Sequence, residues 1–336
     1  MRIGEFFLLG FRGLKIPDWL WEFERRNGLG GVILFDYDCQ LKAYGNNVQS
    51  PAQVRELCAD FAKMPSKPLI FVDQEGGKVR RLKETLGFKP LPSQKILNLL
   101  PTEEKRKLLH ESFTELRALG IHYNLAPVID LDVNPANPDI GAVERAYSVV
   151  PQEVRANVAL VNEAAQTAKI GLSLKHYPGL GGATVNSHLE LTDISDSLSE
   201  PQLKLFYELA PGLSGSSIIV SHGIVQQWDP NLPVSMSPSA IAELRKHVPD
   251  TILISDDLQM QGLQQRMNTQ EACWQGLRAG LDMICIGNNL LPEDAQILDY
   301  ADQIMLGLDD DLGLNSHLRT AALRIVAAKA KFNSSF

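Results

Sequence analysis

Lys175 and His176 close an apolar run, and a glycine-rich stretch, PGLGGATVNSH, then leads to a second imidazole at His188. A cation beside an imidazole offers hydrogen-bond donors to hydroxyl or carboxylate oxygens. An imidazole of ordinary pKa, about 6.5, both gives and takes a proton near neutral pH. Far downstream, ILISDD ends another apolar run in Asp256 and Asp257. A carboxylate at the mouth of a buried strand can attack an anomeric carbon and hold the sugar as an ester. Asp256 suits that role, whereas Asp257 is placed to cap the helix that follows.

Other run ends carry more of the same. Asp73 offers acceptors for a pair of sugar hydroxyls, and Arg81 and Arg145 join Lys175 and His176 as donors to ligand oxygens. His222 is either a ligand contact or a hydrogen-bonded rim residue. Asp130 and Asp132 read as structural. A metal centre drawn from His176, His222, Asp73 and Asp256 is the weaker reading, because no strand offers His-x-His and no helix two histidines at metal spacing. A Schiff base at Lys175 is equally minor, and GLGG lacks the Lys-Ser/Thr of a phosphate loop.

These points must converge, and the apolar runs say how. Eight of them, at residues 6–11, 31–35, 68–73, 123–130, 171–176, 216–222, 251–256 and 281–287, are nearly continuous rather than alternating, as in parallel strands covered on both faces. Amphipathic segments lie between. Pro51 opens a helix with Val54, Leu57, Cys58 and Phe61 on one stripe. Thr102 caps another, with Glu103 and Glu104 in its first turn and Gly120 at its end. Pro151, Pro201, Pro238 and Pro292 stand at or near further starts. The alternation predicts an α/β fold, a (β/α)8 TIM-like barrel over residues 1–336 as one domain, with a doubly wound open sheet second. In such a barrel every run end named above falls on one rim.

The bulk numbers agree. Of 336 residues, 44% are hydrophobic and 21% charged, as in a globular chain with a sizeable core. A net charge of -8 excludes a general nucleic-acid or anionic-membrane binder. The N-terminal apolar run is broken by Gly10 and Arg12, and no run has the roughly 20 residues that span a bilayer. Cys39, Cys58, Cys273 and Cys285 show neither pairing nor metal spacing, which predicts reduced thiols and a cytoplasmic location.

Read together, the blocks GGVILF, FVDQEGGKVRRL, LAPVIDLDVNP, IGAVERAYS, KHYPGLGGATVNSH, VSHGIVQQWDPNLPVSMS, ISDDLQMQGL and AGLDMICIGNN run in order through most of the chain. In them the chain resembles glycoside hydrolase family 3, specifically its short, single-domain bacterial β-N-acetylhexosaminidases of peptidoglycan recycling. The resemblance implies a retaining exo-β-glycosidase acting on a small carbohydrate, with Asp256 as nucleophile and His188 as acid/base. It places Asp73, Arg81, Arg145, Lys175 and His176 on sugar-binding positions and implies no cofactor. Nothing bears on the oligomeric state.

The acid/base loop departs from the family pattern. Where the family reads KHFPGHG-Asp-x-x-x-Asp-Ser-His, this chain has Leu180, Gly182 and Asn186 in place of a His and two Asp. Asn186 can orient a ring N–H but supplies no charge. Glu190 or Asp193 is close enough in sequence to replace the lost carboxylate. ERAYS stands where the family commonly has a DRSFS-like run. The alternatives are a different sugar specificity, a glycoside phosphorylase, or an impaired carbohydrate-binding homologue.

Overall fold

The structure is a computed structural model and describes residues 2–187 and 189–333. Its centre is a closed barrel of eight parallel strands. These are β1 (Phe7–Leu9), β2 (Gly31–Leu34), β3 (Leu69–Val72), β4 (Tyr123–Asn124), β5 (Gly171–Tyr177), β6 (Ser217–Val220), β7 (Ile252–Asp257) and β8 (Met283–Ile286). Each pairs with its neighbours in chain order, and β1 closes on β8 through Phe7–Ile284, Leu8–Cys285 and Leu9–Ile286. The open sheet is therefore excluded. Every strand residue up to Ser255 is buried, which is why the runs show no alternation.

The strands begin where predicted to within two residues, but run four is far shorter than 123–130. After Asn124 the chain enters Leu125-Ala126-Pro127, where Pro127 has no N–H for a ladder; the Ser173 N–H of β5 still reaches the Ala126 carbonyl at 3.1 Å, and an isolated bridge joins Val128 to Lys175. Run seven extends one residue further, to Asp257.

Helices cover the outside, and their starts follow local chemistry. Ser50, Ser199 and Ser237 each accept the backbone N–H three residues on, while Pro51, Pro201 and Pro238 occupy the first or second helical position. Thr102 departs from its expected role. It is the first helical residue of Thr102–Leu119, Pro101 is the N-cap, and no side chain caps that end. Gly120 ends the helix with φ 90°, as expected. In the helix Pro51–Phe61, Val54, Leu57, Cys58 and Phe61 are all buried, and each large apolar side chain so placed contributes about 1.5–3 kcal/mol.

The N-terminal end of the barrel is plugged. Phe332, from the last helix, Leu312–Asn333, meets the Tyr123 ring edge-on at 5.0 Å, and Tyr123 stacks on Phe71 at 4.7 Å. Gly171 is small for this reason, since a methyl group there would lie 2.4 Å from the Tyr123 ring. With one end filled, the strands' C-terminal ends are left to carry a cavity.

Candidate active site

That cavity has a volume of about 360 Å3. Its floor is apolar, from Leu8, Ile33, Leu125, Ile219 and Cys285, and its walls carry charge. Asp73, at the end of β3, accepts Lys175 Nζ on Oδ1 at 2.8 Å and Arg81 Nη2 on Oδ2 at 2.9 Å. Burial alone would raise the Asp73 pKa. Lys175 and Arg81 more than offset it and hold the carboxyl far below its usual range. Arg81, half-buried, keeps its proton more tightly than a free guanidinium. Desolvation opposes this, but Asp73 and Asp36 outweigh it.

Glu75 is the centre of the second half. It takes Lys175 Nζ at 2.6 Å and a bidentate pair from Arg145, both bonds at 2.8 Å, and its side chain is 1% exposed. Burial pushes its pKa up, but Arg145 and Lys175 together pull it down to about 2. Arg145 Nη2 also lies 3.1 Å from His176 Nε2, and His176 Nδ1 is 2.7 Å from Asp130 Oδ2. Asp130, fully buried, further accepts the backbone N–H groups of His176 and Leu180. Asp132 pairs with Lys95, so both aspartates serve structure, as read from the sequence.

Asp256 lines the cavity from β7, half-buried, with Oδ1 accepting the Asp257 N–H at 2.9 Å. Asp257 accepts the Gly287 and Gln259 amides, each at 3.0 Å. It therefore organises the turn ahead of the short helix Gln261–Gln264 rather than capping that helix directly.

Of the two readings of His222, ligand contact or hydrogen-bonded rim residue, the structure shows the second, and His222 is not among the residues that line the cavity. It is 4% exposed; Nε2–H points at the Asp257 carbonyl at 3.1 Å, leaving Nδ1 to Ser235 Oγ at 2.7 Å. The ring braces the strand end that carries Asp256.

His188 lies outside the described residues, but the approach to it is visible. The glycines are there for contact. A methyl on Gly181 would sit 1.7 Å from the Leu131 carbonyl oxygen, and one on Gly182 would sit 2.2 Å from Ser197 Cβ. Gly182 thus leaves no room for the family aspartate without a shift. Leu180 is buried and forms part of the cavity wall. The expected substitute Asp193 is engaged elsewhere, with Ser195 and Gln226, and Glu190 is exposed.

Two residues were passed over in the sequence. Glu75 stands in DQEGG two places after the candidate Asp73, and Asp36 stands immediately after run two. Asp36 is buried against Lys83 and lies 3.8 Å from Arg81. The signal for both was a carboxylate at the end of an apolar run, the same one that marked Asp73.

Residues 16–309 match the glycosyl hydrolase family 3 N-terminal domain. The chain belongs to that family. As a family 3 member it is a glycoside hydrolase built on the TIM barrel. It is 31% identical over 272 residues to a β-hexosaminidase of Idiomarina loihiensis, covering 78% of this chain and 77% of the relative. It is 32% identical over 275 residues to a β-hexosaminidase of Pseudomonas aeruginosa, covering 79% and 77%. Among solved structures, a family 3 β-N-acetylglucosaminidase from Paenibacillus sp. superposes with TM-score 0.85 at 26% identity, over 98% of this hydrolase and 62% of that chain. A β-N-acetylhexosaminidase from Beutenbergia cavernae gives 0.83 at 22% identity, over 98% and 97%, a likeness of fold. Among the described residues of the hydrolase, no three His, Cys, Asp or Glu side chains gather so as to hold a metal ion.

Proposed function

We propose that this glycoside hydrolase removes single terminal N-acetyl-β-glucosaminyl units, with retention, from cell-wall fragments in the cytoplasm. The observation that carries the reading is the cavity itself. At about 360 Å3 it is near the small end of ligand pockets, roughly 300–1,000 Å3, so it suits one sugar rather than a chain. Asp73, Arg81, Arg145, Lys175 and His176 line it together with Asp256. The β-hexosaminidase and β-N-acetylglucosaminidase relatives support the N-acetyl preference. Four free thiols support a reducing compartment.

In the first step an Asp256 oxygen bonds to the anomeric carbon while the bond to the aglycone oxygen breaks and His188 gives that oxygen a proton. In the second step water attacks the same carbon, its proton returns to His188, and Asp256 leaves as the carboxylate. Asp73 accepts from sugar hydroxyls, while Arg81, Arg145, Lys175 and His176 donate to ligand oxygens. The carboxylates that hold these cations hold their geometry before substrate arrives, so little reorganisation is left for the reaction.

The deciding experiment is a panel of 4-nitrophenyl glycosides, with and without phosphate, on wild type and on Asp256→Ala. Cleavage of the N-acetyl-β-glucosaminide with retained configuration, lost in Asp256→Ala, is the expected result. Sugar 1-phosphate as the product would replace hydrolysis with phosphorolysis. Binding of N-acetylglucosamine with no turnover of any glycoside would reduce the protein to a sugar-binding homologue.

A further inference from the structure

The loop that carries Arg145 also holds the approach to His188. Asn137 Nδ2 donates to the Leu180 carbonyl at 2.6 Å, and Asn134 donates to the carbonyls of Gly181 and Ala183 at 3.1 and 3.0 Å. The last of these ties is a carboxylate. Asp139 Oδ2 accepts the Ser187 N–H at 2.6 Å, and Ser187 is the residue immediately before His188.

Asp139 is 6% exposed, and its backbone is fixed at both ends. Its N–H donates to Asn137 Oδ1 at 2.8 Å, and its carbonyl accepts Arg145 Nη1 at 2.9 Å. Burying a carboxylate costs free energy that a hydroxyl or an amide in the same place would not incur. The chain that lacks an acid at Asn186 thus carries a buried one against the adjoining amide, on a neighbouring loop.

We propose that Asp139 is a positioning residue for the acid/base step. It holds the backbone ahead of His188 through the Ser187 amide and supplies, from the Arg145 loop, the carboxylate that the acid/base loop itself no longer has. The proposal rests on the glycosidase reading for its chemistry and on the Ser187 contact for its geometry. Because one residue bonds both Arg145 and Ser187, sugar-binding loop and acid/base loop are held in one register.

The test uses Asp139→Asn, Asp139→Ala, Asn186→Asp and the double variant Asp139→Asn/Asn186→Asp in the full chain. Each is assayed on 4-nitrophenyl N-acetyl-β-glucosaminide, whose leaving group needs little protonation, and on the β-linked N-acetylglucosamine disaccharide, whose leaving group needs much. General acid catalysis is worth about 10²–10⁴-fold, so impaired positioning should lower kcat on the disaccharide at least about tenfold more than on the aryl glycoside, with KM little changed. The double variant should recover most of that difference.

Equal losses on both substrates, or a rise in KM alone, would mean a purely structural residue and would overturn the proposal. So would a double variant no better than Asp139→Asn. Hydrogen exchange at the Ser187 amide keeps the two readings apart, because it needs no activity. Faster exchange in Asp139→Ala is expected, and unchanged exchange refutes the positioning role even if the protein hydrolyses nothing. Failure of wild type on every glycoside, with faster Ser187 exchange in the variant, would sink the glycosidase reading and leave the contact standing.

Discussion

Lys175 Nζ lies 2.6 Å from Glu75 Oε1 and 2.8 Å from Asp73 Oδ1, so one ammonium joins two carboxylates that stand two residues apart on the β3 end. Arg81 completes the pairing on the Asp73 side and Arg145 on the Glu75 side. Two carboxylates so close would repel each other without the ammonium between them. The group therefore stands or falls as a unit, and removing one member leaves an uncompensated buried charge.

Glu75→Gln tests that unit. Breaking a buried pair by deleting one partner costs about 3–5 kcal/mol, and the loss should show as a lower midpoint in urea. The pH dependence has a definite sign. The folded pKa, about 2, lies below the ordinary 4.5, so the stabilisation is fully present above 4.5 and is lost as pH falls through about 2. That contribution is on the order of 3 kcal/mol. Wild type should weaken between pH 5 and 2 more steeply than Glu75→Gln; equal slopes would remove Glu75 from the account.

Asp256→Ala leaves space on the face where the carboxylate attacked. Added azide should restore turnover of the 4-nitrophenyl substrate and yield the α-glycosyl azide, because azide would attack from the Asp256 side. The product configuration is read by NMR. No rescue, together with undiminished activity of the variant, would rule out Asp256 as nucleophile.

Gly181→Ala places a methyl carbon 1.7 Å from the Leu131 oxygen, and that oxygen is backbone. The approach to His188 must shift, at a cost of about 1–3 kcal/mol in stability and with a fall in kcat on the disaccharide. Thermal unfolding and kinetics check both; an unchanged Tm with unchanged kcat would show that the loop yields freely.

His122 tests the scaffold away from the cavity. Its Nδ1 accepts the Ile70 N–H at 3.0 Å, and burial, aided by Arg117, holds its pKa down to about 4. The folded value lies below the unfolded 6.5, so the unfolded chain binds more protons between pH 4 and 6.5 and stability rises with pH across that window. The rise should be about 3 kcal/mol in wild type and absent from His122→Gln. Urea unfolding at pH 4.5 and 7.5 measures it, and a parallel rise in the variant would assign the effect elsewhere.

Much of this protein was legible in its residues. Continuous apolar runs specify doubly covered strands, serine and proline mark helix starts, and eight alternations leave a closed barrel as the simplest burial. Closure then brings every strand's C-terminal end to one rim, so Asp73, Lys175, His176 and Asp256 could be grouped from sequence order alone. Partners could not, because pairing is set by three-dimensional distance. Lys175 meets Asp73 across 102 residues, and Arg145 meets Glu75 across 70. The tertiary structure alone decided that Glu75 rather than Asp73 holds Arg145, that His222 turns away to brace Asp257, and that a buried Asp139 meets the Ser187 amide. A side chain's type follows from local sequence, but which charge neutralises it depends on how neighbouring strand ends and loops pack.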